Sequence, residues 1–200
     1  MVSASDLERF DERELVEAAR HDAGAFAVLY RRYVDRIHAY AYRRSNSRAV
    51  AEDVTAATFE KALRNLHRFR WREPGIGPWL FRIASNELID QHRREARQER
   101  TAERLQGEWV DEVAGADSTI PGVDHGELRR ALDAISPRYQ RALTLRYLAD
   151  LSNEEAAQAL GVSRATMAVV LHRATAALRK ALANEGNGAR ETNGVRGEVA

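Results

Sequence analysis

The sequence predicts an all-α protein: two small helical domains joined by a flexible acidic linker. Three observations predict this. Apolar residues recur at spacings of three and four through both halves, the period of a helix face. No segment alternates apolar and polar side chains as a half-buried strand does. A stretch rich in glycine and acid, residues 101–126, interrupts the helical pattern midway.

Composition agrees. Two hundred residues leave room for one large or two small domains, and 44% hydrophobic content supplies small cores. Net charge is only +1, so any nucleic-acid footprint must be local. Of 31 basic residues only Lys61 and Lys180 are lysine. Arginine suits phosphate and planar base contacts, although a GC-rich coding bias produces the same preference. The absence of cysteine excludes disulfides, cysteine-ligated zinc and thiol catalysis. The opening MVSASDLERFDEREL is charged and lacks the apolar centre of a signal peptide, and no apolar run reaches membrane-spanning length. A cytoplasmic protein is expected.

Residues 1–21 are read as an N-terminal segment with no assigned element, and residues 22–98 as the first domain. Asp22 is a suitable N-cap, and Phe26, Leu29, Tyr30, Tyr33, Ile37 and Tyr40 then mark one helical face. After RSNS, a second helix carries Val50, Val54, Ala57, Phe59, Leu63 and Leu66. Pro74 and Pro78 end what precedes them. A third helix runs from about Trp79 to Arg97 with Leu80, Ile83, Ala84 and Leu88 facing inward. The linker, 99–126, holds three Glu, three Asp and one Arg within TAERLQGEWVDEVAGADSTIPGVDHG. The second domain is 127–183. LRRALDAI stops at Ser136-Pro137 and PRYQRALTLRYLADL follows. Ser152-Asn153-Glu154-Glu155 is a capping-box pattern. Gly161 breaks that helix and Ser163 caps the next. Residues 184–200, Gly-rich and aperiodic, are expected to be a disordered tail.

Two regions carry chemistry. A capped helix, a glycine turn and a second helix opening with Ser163-Arg164-Ala165-Thr166 have helix-turn-helix spacing. From Ser163 to Ala183 the only charged or titratable residues are Arg164, His172, Arg173, Arg179 and Lys180, with no acid. Such a helix favours a polyanion, although an ordinary helical hairpin with a basic surface fits the same residues. The other region, RFRWREPGIGPWLFRIASNELID from Arg68 to Asp90, sets aromatics among arginines around a Gly/Pro loop. Single strands are held by stacking and by cations along the backbone, and an extruded base needs a pocket. Trp79, Arg82, Asn86 and Arg93 fall on one side of the third helix, Asn86 able to donate to and accept from a base edge. A core role is the alternative for Phe69, Trp79 and Phe81, and it fits Phe69 and Phe81 equally; Trp71, between Arg70 and Arg72, fits it less well.

Together these segments resemble the sigma factors of bacterial RNA polymerase, the extracytoplasmic-function group of the sigma-70 family. DAGAFAVLYRRYVDRIHAYAYRRSNSRAVAEDVTAATFEKALRNL is similar to that group's first conserved region, and RFRWREPGIGPWLFRIASNELIDQHRRE to its minus-ten region. LRRALDAISPRYQRALTLRYLADLSNEEAAQALGVSRATMAVVLHRATAALRKAL is similar to its minus-thirty-five domain.

The resemblance implies roles. A helix docks on the clamp helices of the polymerase's largest subunit, which matches Glu52, Asp53, Thr58 and Phe59; Ala56-Ala57 stands where the family often has Gln-Glu. The loop that captures a flipped base matches Arg70, Trp71, Arg72 and on to Pro78. The helix reading the melted minus-ten strand supplies Trp79, Arg82, Asn86, Asp90 and Arg93. The linker threads toward the catalytic cleft and the RNA exit path. The minus-thirty-five duplex falls to Arg164, Thr166, Ala168, Val169, His172 and Arg173, while the second domain touches the polymerase flap. Ala168 and Val169 stand where the family carries polar readers, which implies an atypical or weak minus-thirty-five reading, although small apolar groups still meet a thymine methyl.

The expected partners are core RNA polymerase, promoter DNA and an anti-sigma protein, with the chain a monomer in the holoenzyme. No enzyme signature, small-molecule substrate, cofactor or metal is expected. The six histidines are scattered, and no phosphate loop or nucleophile elbow is present. Two rivals remain at this level: a helix-turn-helix regulator binding duplex DNA without polymerase, and a helical adaptor docking on another protein.

Overall fold

The computed structural model describes residues 7–105 and 125–194, and among these every regular element is helical. Helix α1 spans Glu12–Ala19, where the sequence suggested no element. Its missed signal is a capping box: Glu14 N donates to Asp11 Oδ1 at 2.7 Å and Asp11 N to Glu14 Oε2 at 3.1 Å. Leu15, Val16 and Ala19 are buried beneath it.

Helix α2 (Ala23–Ser45) starts at the expected N-cap, Asp22, which accepts from Gly24 N at 2.8 Å. Asn46, left-handed at φ 52°, ends it, and Ser47 caps α3 (Arg48–Asn65). The two form a helical hairpin against which α1 packs. The periodicity placed most of the core correctly. Leu29, Tyr33, Ile37 and Tyr40 are buried on α2, and Val54, Phe59 and Leu66 on or just after α3. It erred at Tyr30 and Leu63, which are 41% and 53% exposed. A 3-10 turn (Leu66–Arg68) and the Gly/Pro loop lead into α4 (Gly77–Leu105), which buries Leu80, Phe81, Ala84 and Leu88.

The second domain comprises α5 (His125–Ala134), α6 (Pro137–Leu143) with its Ser136 cap, a π-type turn (Thr144–Leu148), α7 (Asn153–Leu160) and α8 (Arg164–Gly194). The predicted capping box of α7 is present between Ser152 and Glu155. Gly161 caps its C-terminus at φ 75°, and Ser163 Oγ accepts from Thr166 N at 3.1 Å to open α8.

Two boundaries need correction. Helix α4 continues to Leu105, past the expected end at Arg97, because Gln98 to Leu105 contains strong helix formers and no glycine or proline. Helix α8 continues to Gly194, although residues from 184 were read as a disordered tail. Its glycines cost about 1 kcal/mol each but, unlike proline, do not forbid a helix. Residues 106–124, most of the expected linker, lie outside the described residues.

The sequence did not foresee that the two domains share a core. One buried cluster runs from Leu15 of α1 and Tyr40 and Phe81 of the first domain into Leu145, Leu151 and Met167 of the second. Tyr40, 1% exposed, packs edge-on to Phe81 and shares a hydrogen bond with Thr144 Oγ1 at 3.2 Å. Burial raises its hydroxyl pKa and keeps it neutral. Around this seam, Arg44 pairs with Asp133 at 2.6 Å and Arg43 Nη1 donates to Leu148 O at 3.0 Å. Domains this small bury limited area alone, and fusing their cores offsets that.

Candidate nucleic-acid interface

The end of α3, the 3-10 turn and the first turns of α4 enclose an open cavity of about 450 Å3. Its floor is apolar: Phe69 and Trp79, with ring centroids 5.1 Å apart, and Ile83. Lys61, Asn65 and Arg68 stand on one side, and Asn86, Glu87 and Asp90 on the other. Lys61 and Glu87 form an ion pair in which the Glu87 side chain is 7% exposed. The size suits a small planar ligand. Aromatic faces beneath amide and charged groups are what an unstacked base needs: a surface to lie on and partners for its edges.

The loop from Arg70 to Pro78 borders this cavity. Arg70 and Arg72 are exposed, and half-buried Trp71 donates through Nε1 to Glu73 Oε1 at 3.3 Å. Gly75 N donates to Arg72 O at 2.8 Å, and the Glu73-Pro74 peptide is cis. Ile76 and Pro78 anchor the loop in the core.

The residues singled out on α4 separate into two groups. Trp79 and Asn86, two helical turns apart, line the cavity together with Asp90. Arg82 does not. Its Nε donates to Ala159 O at 2.9 Å, and its guanidinium lies against Gly161, where a Cβ would collide with it. Asn86 also reaches across the seam, its Oδ1 accepting from Arg141 Nη1 at 3.1 Å. Arg93 is exposed farther along the helix, outside the cavity. Sequence reasoning missed Lys61, Asn65 and Glu87, and had Arg68 only as one of the arginines of the aromatic stretch. A usable signal existed: Lys61 and Asn65 are one turn apart, directly before the arginine-rich stretch.

On α3, Glu52 and Asp53 are exposed, and Glu52 Oε1 accepts from Arg48 Nε at 2.8 Å. Thr58 is fully buried and donates to Val54 O at 2.7 Å, so it offers no surface to a partner. Phe59 is also buried, meeting Tyr30 edge-on with centroids 4.7 Å apart. The exposed apolar groups on this face are instead Tyr30 and Leu63.

In the second domain, Met167, Val170 and Ala174 bury one side of α8. Arg164, Ala168, Val169, His172 and Arg173 are exposed, and Thr166 is half-buried against Ser163. The turn between α7 and α8 has the geometry of a helix-turn-helix.

Comparison with known proteins fits both halves. Residues 29–98 match the family Sigma-70 region 2, and residues 125–178 match Sigma-70, region 4. The ECF RNA polymerase sigma factor BldN of Streptomyces coelicolor is 33% identical over 186 residues, covering 91% of this chain and 70% of its own. SigE of Mycolicibacterium smegmatis is 30% identical, covering 91% and 76%. YlaC of Bacillus subtilis, an RNA polymerase sigma factor, is 34% identical, covering 76% and 88%. Among solved structures, the sigma factor RpoE of Bartonella quintana, in complex with the anti-sigma factor NepR, superposes with a TM-score of 0.55. It is 25% identical and covers 78% of this chain and 96% of its own. The cavity beside a Gly/Pro loop, the helix-turn-helix and these two family matches lead to one assignment: the chain belongs to the ECF sigma factors of the sigma-70 family.

Proposed function

We propose that this chain binds core RNA polymerase through the outer face of α3 and directs it to promoters. It would hold one base of the melted minus-ten strand in the cavity between α3 and α4. The observation that carries the reading is the cavity itself, an aromatic floor flanked by Lys61, Asn65, Asn86 and Asp90 next to exposed Arg70 and Arg72. Glu52, Asp53, Tyr30 and Leu63 form the candidate polymerase face. Arg164, Ala168, Val169, His172 and Arg173 form the candidate minus-thirty-five face, with Thr166 at its edge. The protein would act by binding, with no chemistry of its own.

In the closed arrangement Arg82 and Asn86 are already engaged by the second domain. Reading a strand with both requires those bonds to part, so we infer a closed free chain and an open polymerase-bound one. An anti-sigma partner is proposed by analogy with the NepR complex, and with it a cytoplasmic setting; among the described residues no helix is long and apolar enough to cross a membrane.

The test is size-exclusion chromatography with bacterial core polymerase, followed by run-off transcription on sheared genomic DNA. Co-elution with discrete new transcripts is the expected result. A chain that shifts duplex DNA alone and never co-elutes would be a helix-turn-helix regulator instead.

A further inference from the structure

Helix α1 lies ahead of the stretch matched by the region 2 family, at residues 29–98. It meets the Gly/Pro loop at its start and its apex, and Tyr33 of α2 meets it at its end. At the loop's start, Arg20, the C-cap of α1, donates through Nη2 to Phe69 O at 2.7 Å. At its apex, the Glu12 carboxylate accepts from the Tyr33 hydroxyl and lies so close to Gly75 that a Cβ there would strike Oε2. Gly75 has φ +123°, a conformation side chains rarely adopt. At the loop's end, the Tyr33 ring would sit 3.2 Å from a Cβ on Gly77. Burial and the Glu12 bond both raise the Tyr33 pKa, keeping the hydroxyl a donor.

We propose that Glu12 and Arg20 are positioning residues for minus-ten capture: α1 presets the backbone of residues 69–77 so that the loop meets the melted strand already in its binding shape. The inference rests on the reading of that loop given above. A Gly/Pro loop exposing Arg70 and Arg72 would sample many conformers if free, and ordering it on binding would cost affinity. The Arg20 hydrogen bond, the Glu12 carboxylate lying against Gly75 and the tyrosine wall remove that cost beforehand. Neither anchor is needed for folding of α1. Its capping box is Asp11 with Glu14, and its buried contacts are Leu15, Val16 and Ala19.

The experiment uses the full chain with core polymerase on a promoter taken from the run-off transcripts. It measures permanganate reactivity of minus-ten thymines, co-elution with polymerase and thermal unfolding. Glu12→Ala and Arg20→Ala should each lower reactivity by about tenfold, the scale of one organising contact, with co-elution unchanged and the chains still folded, their unfolding temperatures lowered by only about a few degrees for the hydrogen bonds lost at Tyr33 and Phe69. Glu12→Gln, which still accepts from Tyr33, should retain most of the opening. Wild-type reactivity in Glu12→Ala and Arg20→Ala, while a Trp71→Ala/Arg72→Ala chain fails to open, would overturn the role of α1 and leave the loop's role standing. Normal opening by the Trp71→Ala/Arg72→Ala chain would overturn the loop reading and this inference with it.

Discussion

Arg82 Nε donates to the main-chain carbonyl of Ala159 at 2.9 Å, tying α4 of the first domain to the last turn of α7 in the second. One helical turn farther along α4, in the same seam, Arg141 holds Asn86. Arg141 Nε itself is buried without a hydrogen-bond partner, so this side chain gives the closed form less than its contacts suggest. Arg141→Ala should therefore loosen the seam without unfolding either domain. Fluorescence anisotropy of the isolated protein on minus-ten single-stranded DNA should show roughly fivefold tighter binding, about 1 kcal/mol of released competition. Unchanged affinity would mean that the seam does not mask Asn86.

Arg44 and Asp133 form the more enclosed cross-domain pair, with side chains 12% and 24% exposed. Arg44→Ala leaves the carboxylate of Asp133 facing half-buried surroundings. The expected loss in urea unfolding is about 1–2 kcal/mol, between the values for surface and buried pairs. A loss below about 0.3 kcal/mol would place the pair with ordinary surface bridges.

Trp79→Ala and Asn86→Ala should impair promoter opening more than polymerase binding. Trp79 is one of the two aromatic rings of the cavity floor, and base-on-aromatic stacking contributes about 1–3 kcal/mol. Equal loss of opening and of co-elution would identify both residues as structural.

Lys61→Met tests the cavity wall. It strands the Glu87 carboxylate, 7% exposed, while Lys61 is 47% exposed. Solvent reaching Lys61 reduces the penalty to about 1–2 kcal/mol. Glu87→Gln should cost less in the same urea titration, because the amide can be buried more cheaply than the charge. The reverse order would show that the ion pair does not stabilise this wall.

On α8, Arg173→Ala should weaken promoter binding similarly across sequences and reduce the salt slope by about 1, as loss of a phosphate contact does. Val169→Ser should instead change base preference at one position, relaxing selection for thymine. Selection of promoters from a random library distinguishes the two outcomes.

Much of this was legible in the chain. The caps at Asp22, Ser152 and Ser163 and the turn at Gly161 follow from local chemistry and lie where the sequence placed them. Helix α1 was missed because it carries only one short amphipathic pattern within a charged segment, residues 1–21, that was given no element, though Asp11 and Glu14 were there to be read. The direction of Arg82 could not be read. Helical phase groups it with Trp79 and Asn86, and only the second domain, distant in sequence, gives it another partner. The burial of Thr58 was hidden for a related reason: matched motif positions do not say which side of α3 faces inward. Pairing between distant segments has no local signature, so the shared core around Tyr40 and Thr144 was equally hidden.

Gly161 serves two neighbours at once. Its left-handed backbone makes the turn that sets α8 at its angle, and its missing side chain is the space in which the Arg82 guanidinium sits. A single hydrogen atom in place of a methyl thus couples the shape of the duplex-reading motif to the closeness of the two domains. The proposed closure and the proposed minus-thirty-five recognition are therefore linked at this position. Any larger residue would strain the left-handed turn and displace the Arg82 guanidinium, loosening its hold on Ala159, in one step. Independent tuning has to come from the periphery of the seam, where Arg44, Asp133 and Arg141 can change without touching the turn.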